Sequence, residues 1–137
     1  MTKNMEFLIQ LDLLQTQLIK KAEGGLNIHG LSFSDFMILY HLHRSKDKSM
    51  RRIDLAEKIG VSASGVTKIL RLMEKTGLVK KEKNARDARV SSVKISKAGE
   101  EIFQDARVTF RENAEIITQR VSDDQLEQFI QMSEELL

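Results

Sequence analysis

Between Ile53 and Val79 the chain reads "IDLAEKIGVSASGVTKILRLMEKTGLV", and no other stretch restricts the fold as tightly. Ala56, Gly60 and Val66 are spaced as two helices joined by a tight turn require: a small residue where the helices touch, one that tolerates positive φ, and a branched core residue. Leu55, Ile59, Val61, Ile69 and Leu70 supply the apolar wedge between them. The spacing predicts helices over about 52–59 and 63–75, with Ser62 as the cap of the second. An ordinary antiparallel helical pair is the competing reading.

What the second helix leaves outside separates the two readings. With Val66, Ile69, Leu70 and Met73 turned inward, the outward stripe is Ser64, Thr67, Lys68, Arg71 and Lys75, which can donate hydrogen bonds and carries positive charge. Such a face suits a major groove. Gly65 costs roughly 1 kcal/mol against Ala in a helix interior. Close approach of a phosphate backbone to the helix start, where free N–H groups favour an anion, would offset that. Lys75, near the helix end, has the blander role of answering the helix dipole.

After Gly77, "LVKKEK" and "RVSSVKIS" are rich in Val and Ile and joined by "NARDA", which predicts a two-stranded hairpin. A basic hairpin beside a recognition helix is a wing, whose tip can reach a narrow, negative minor groove. Arg89 is the first choice for insertion there, with Asp87 holding its guanidinium; Arg51, Arg52, Lys81, Lys83 and Arg86 are candidates for phosphate contact. The charge distribution agrees: residues 51–97 carry 13 Lys and Arg against 5 Asp and Glu, while the rest carries 9 against 15. A polyanionic partner is implied for the basic middle.

The flanks are helical and acidic. Leu8, Leu11, Leu14, Leu18 and Ile19 recur at helical spacing over about 4–22, with Gly24-Gly25 as the stop. Ser32 and Asp35 form a capping box for a helix that ends near "RSKDKS" at 44–49. A long helix follows from about Lys97 to Arg120, and Ser122 with Gln125 caps the last one. The architecture is mainly α with a small β-hairpin: a winged helix-turn-helix lobe at 51–96 between flanking helices at 1–30 and 97–137, in one domain of 137 residues. The apolar stripes of those flanking helices exceed what one such core can cover, so they need a second copy, and a two-fold pair would set two recognition helices one DNA turn apart.

The segment "DLAEKIGVSASGVTKILRLMEKTGLVKKEKNARDARVSSVKISKAGEEI", and above all the D-x-R of Asp87-Ala88-Arg89 before "VSSVKIS", resembles the MarR family of winged helix-turn-helix transcriptional regulators. The motif-bearing part spans about residues 52–102; the flanks agree by pattern only. The resemblance implies an obligate homodimer that binds a pseudo-palindromic operator of double-stranded DNA, a repressor more than an activator, released by a small aromatic or anionic effector. Phe36, Tyr40, His41 and Phe110 are the candidate pocket residues for that effector.

Other chemistry finds little support. There is no cysteine, which excludes disulfides and thiolate chemistry. His41 and His43 are two apart and diverge on a helix, so no metal site is expected, and no cofactor. No phosphate loop or nucleophile motif points to an enzyme. The start "MTKNMEFLIQLDLLQ" is interrupted by Glu6 and Asp12 and is too short to span a bilayer, which suits a cytoplasmic protein. The alternative function is a helical protein-interaction module without DNA binding, which accounts for the flanks but leaves the basic middle unexplained.

Overall fold

The computed structural model describes residues 1–83 and 91–137. Helix α1 spans Lys3–Leu26 and α2 Phe33–Arg44; strand β1 is Ser49–Arg51; α3 is Arg52–Ile59 and α4 Ala63–Lys75; β2 is Val79–Lys83 and β3 Ser91–Ile95; α5 runs Lys97–Ile117 and α6 Asp123–Leu136. The sheet is antiparallel in the order β1-β3-β2.

Most helix starts follow from side-chain caps. Ser32 accepts from the Asp35 N–H at 3.0 Å while the Asp35 carboxylate accepts from the Ser32 N–H, and Ser122 with Gln125 repeats the device. Ser96 caps α5 through the Gly99 N–H at 2.9 Å. Each such cap satisfies backbone donors that the first turn otherwise leaves unpaired.

Three expectations from the sequence need correction. Helix α1 does not stop at Gly24-Gly25 but continues to Leu26, and the turn comes at Gly30, which adopts a left-handed φ of 73°. The reason lies on α5: Asn113 donates to the Lys21 carbonyl at 2.8 Å, and a β-carbon at Gly25 would lie only 3.0 Å from that amide nitrogen. The glycine admits a neighbour rather than ending a helix. The hairpin gains a third strand, β1, in which Met50 faces Val93; three residues after a polar run carry no alternation to reveal them. The long helix ends at Ile117, where the Thr118 hydroxyl turns back onto the Ala114 carbonyl.

The core is built where α2, α3, α4, the sheet and the start of α5 meet. Ile38, Leu39, Leu42, Leu55, Leu70 and Val93 have no exposed surface, and Phe103 of α5 reaches into the same cluster. Each of these side chains contributes about 1.5–3 kcal/mol of transfer free energy, so the recognition lobe shares one core with α2 and the start of α5. Among the described residues no helix is long and apolar enough to cross a membrane.

Candidate nucleic-acid interface

The turn between α3 and α4 forms as the residue types require. Gly60 takes a φ of 71°, and its N–H and that of Val61 return to the Ala56 carbonyl. Ser62 then opens α4 by accepting from the Gly65 N–H at 3.0 Å. Val66, Leu70 and Met73 are buried and Ile69 is half-buried. Ser64, Lys68, Arg71 and Lys75 are exposed and Thr67 is partly so, its hydroxyl donating to the Ala63 carbonyl. The outward stripe read from the sequence is therefore the surface α4 presents.

That surface is concave. Ser64, Gly65, Thr67, Lys68 and Arg71 border a hollow of about 630 Å³ at the start of α4. A second cleft, about 330 Å³, separates α4 from the sheet and is lined by Arg52, Thr67, Arg71, Glu74, Lys81 and Ser91. Strand β2 delivers Lys81 and Lys83 to this side, both exposed. Cations from one helix and one strand thus border a common depression.

The arginines of α3's entry are less free than the sequence suggested. Arg51 makes a two-point contact with Asp54, Nε to Oδ2 at 3.0 Å and Nη2 to Oδ1 at 3.2 Å. That hydrogen bond raises the guanidinium's pKa and holds the Asp54 carboxyl below its usual range. Arg52 is largely covered, and its Nη2 donates to Glu74 at 2.6 Å. Gly65 also has an internal reason: a β-carbon there would lie 3.1 Å from the Ser62 hydroxyl oxygen, so the glycine keeps the cap unobstructed. Arg86, Asp87 and Arg89, at the expected wing tip, lie outside the described residues.

Sequence reasoning missed three residues of this face. Ile53 and Leu72 are 64% and 65% exposed at its edges, two apolar side chains among cations. Glu74 lies on the flank of the stripe, off its centre. It follows Arg71 by three residues and Thr67 by seven, which sets it on the flank they share.

The four effector candidates divide into two pairs. Phe36 is core, 3% exposed, with its ring 5.4 Å from Phe103 and 4.7 Å from Phe110. Tyr40 meets His41 edge-on at 5.1 Å, and the Arg44 guanidinium lies 5.2 Å from the Tyr40 ring. Burial lowers the His41 pKa, and Lys58 and Arg44 lower it further. The other histidines have partners of their own: His29 meets the Thr109 hydroxyl at 2.7 Å, and His43 meets Glu100 at 2.9 Å.

The chain thus combines a helix-turn-helix, a three-stranded antiparallel sheet and a cationic outer helix face. The model of the MarR family matches residues 29–90, which hold the helix-turn-helix and the first wing strand. Over those residues the chain is similar to the MarR family, and its fold is a winged helix-turn-helix. Solved structures extend the likeness beyond that segment. The regulator BldR from Sulfolobus solfataricus superposes with a TM-score of 0.86 over 100% of both chains at 20% identity. A mutant MarR from E. coli complexed with operator DNA superposes at 0.82, covering 93% of this chain and 91% of that one at 15% identity. Sco3205 from Streptomyces coelicolor, a MarR family regulator in complex with DNA, does so at 0.85, covering 99% and 87% at 16% identity. No curated protein matches in sequence. The MarR-type fold therefore includes α1, α5 and α6, which the family model leaves out.

Proposed function

We propose that this protein is a sequence-specific, double-stranded-DNA-binding transcriptional regulator that acts as a homodimer. The observation that carries the reading is the outer face of α4, where Ser64, Lys68 and Arg71 are exposed with Thr67 partly so, and no acid stands among them. The similarity to two regulators solved with DNA supports it. In this reading α4 lies in the major groove. Arg71 and Lys68 meet guanine edges or flanking phosphates, and Ser64 and Thr67 complete the readout at the helix start. Arg51, Lys81 and Lys83 meet phosphates on either side, and Arg89, supported by Asp87, enters the minor groove. Residues 51–96 form the DNA-binding lobe, and 1–30 with 97–137 join two copies.

A salt titration on duplex DNA tests this. Affinity should fall by about 10³ or more between 50 and 200 mM salt if six or more phosphates are contacted. Arg71→Ala should weaken a site selected from random duplexes by about 1–3 kcal/mol and leave the melting temperature unchanged. A helical protein-interaction module would bind no duplex at any salt, and that result would end the proposal. A reporter placed behind the selected site would then distinguish repression from activation.

A further inference from the structure

Glu74 is the one acid on α4, and it stands on the flank facing the sheet. One carboxylate oxygen accepts from Arg52 at 2.6 Å, and the other lies 4.0 Å from the Lys81 ammonium. The Arg52 and Glu74 side chains are only 15% and 20% exposed, whereas Lys81 is 74% exposed. Without Glu74, the cleft would be lined by Arg52, Arg71 and Lys81 with the hydroxyls of Thr67 and Ser91. Three cations and two hydroxyls would attract any phosphate, whatever the bases attached to it. The carboxylate occupies the place of that phosphate.

An ion pair this well covered adds little net stability, because the desolvation of both charges offsets most of their attraction. Its larger effect is on the field outside. A duplex phosphate entering the cleft must compete with the carboxylate for Lys81 and sit beside a negative charge held on Arg52. That cost is met only when the base contacts of α4 hold the helix in register. In a register with no base contacts nothing offsets it.

We infer that Glu74 is a specificity-determining residue, whose carboxylate between Arg52 and Lys81 suppresses sequence-independent phosphate binding in the cleft between α4 and the wing. The inference rests on the duplex-binding reading above. Arg52 is then a positioning residue that keeps the carboxylate in place, and the exposed cations of α4 do the reading.

Glu74→Gln keeps a hydrogen-bond acceptor for Arg52 and removes the charge. On a duplex of random sequence the variant should bind several-fold more tightly than the wild type. Its salt dependence should steepen by about 0.9 in log–log slope for each cation released, an extra three- to four-fold loss between 50 and 200 mM. Binding to the selected site should rise less, so the ratio of selected to random affinity shrinks. Glu74→Asp retains the charge with a shorter reach to Arg52, and on random duplex should stay closer to the wild type than the Gln variant does. A purely structural brace would give the opposite order, sparing the Gln variant that keeps the acceptor for Arg52 and failing in the Asp variant. If Glu74→Gln does not fold, the apolar pair Arg52→Met with Glu74→Leu takes its place and should steepen the slope by about 0.9 through Lys81 alone. A folded Gln variant, or apolar pair, with the wild-type slope and affinity on random duplex overturns the inference and leaves the DNA-binding reading standing. A wild type that binds no duplex ends both.

Discussion

Gly99 shows how tightly a single residue can join the lobe to the helix that leaves it. A β-carbon there would lie 2.1 Å from the Leu78 carbonyl oxygen and 2.9 Å from the Ile95 side chain. That carbonyl already accepts from the Ser96 N–H at 3.0 Å and cannot retreat without loosening the cap of α5. Gly99→Ala should therefore cost about 3 kcal/mol, toward the upper end of overpacking penalties. In a chain of this size that is a fall of roughly 10 °C in a thermal melt. One residue further on, Glu100 accepts from Lys48 at 2.8 Å and from His43 at 2.9 Å. Burial alone would raise the Glu100 pKa, but the hydrogen bonds from Lys48 and His43 outweigh it and hold the carboxyl below its ordinary value of 4.5. A depressed carboxyl contributes stability above its unfolded pKa and loses it as the pH falls through the folded one. Glu100→Gln should thus be less stable than the wild type at pH 7, by under about 1 kcal/mol since Lys48 remains half in solvent. The difference should close below pH 4.5 as Glu100 takes up its proton. Denaturant melts of both proteins across that range check it.

At the scale of elements, the start of α4 is a compromise between Ser62 and Gly65. Ser62→Ala removes the cap and should cost about 1 kcal/mol. Gly65→Ala offers up to about 1 kcal/mol of helix propensity but brings a methyl to 3.1 Å from the capping oxygen, so the gain should be small. In Ser62→Ala the obstruction is gone and the same Gly65→Ala change should deliver its full gain, a non-additivity that thermal melts of the four proteins would resolve. This coupling also marks the limit of what the sequence made legible. The helix pair, its turn and the cationic stripe were readable because they rest on local spacing: Gly60 at its positive φ, Ser62 at a cap, and Val66 and Leu70 one turn apart on the buried side. Strand β1, the passage of α1 through Gly24-Gly25 and the Arg52–Glu74 pair were not. Each depends on a partner distant in sequence, Val93 for Met50, Asn113 for Gly25, and a residue twenty-two positions away for Arg52. Periodicity has no access to those.

For the whole molecule, the unresolved balance is between the well-filled lobe and its two bare ends. Met5, Phe7, Leu8, Ile9, Leu13 and Leu14 on α1 are each 43–64% exposed, and on α6 Phe129, Ile130, Met132 and Leu136 are 43–69% exposed. Helix α6 buries no residue at all within its own chain. Fourteen residues of which only Leu126 and Ser133 are even half-buried have little to hold them helical in water, since an isolated helix of that length is marginal. Contiguous apolar surface on this scale marks an interface, and a two-fold contact covering about 800 Å² per copy is the usual size of a stable one. The dimer proposed above would place α1 and α6 of one copy against the other and let two α4 helices meet the duplex together. Leu8→Glu with Ile130→Glu puts a charge into each bare face without touching the lobe. Sedimentation should then report a dimer for the wild type and a monomer for the double variant. The variant's affinity for the selected site should fall by at least about 10²-fold, while the salt slope per copy stays the same because each lobe keeps its own phosphate contacts. A wild type that sediments as a monomer and still binds its site at full affinity would show that one lobe suffices, and that the bare helices serve some other partner.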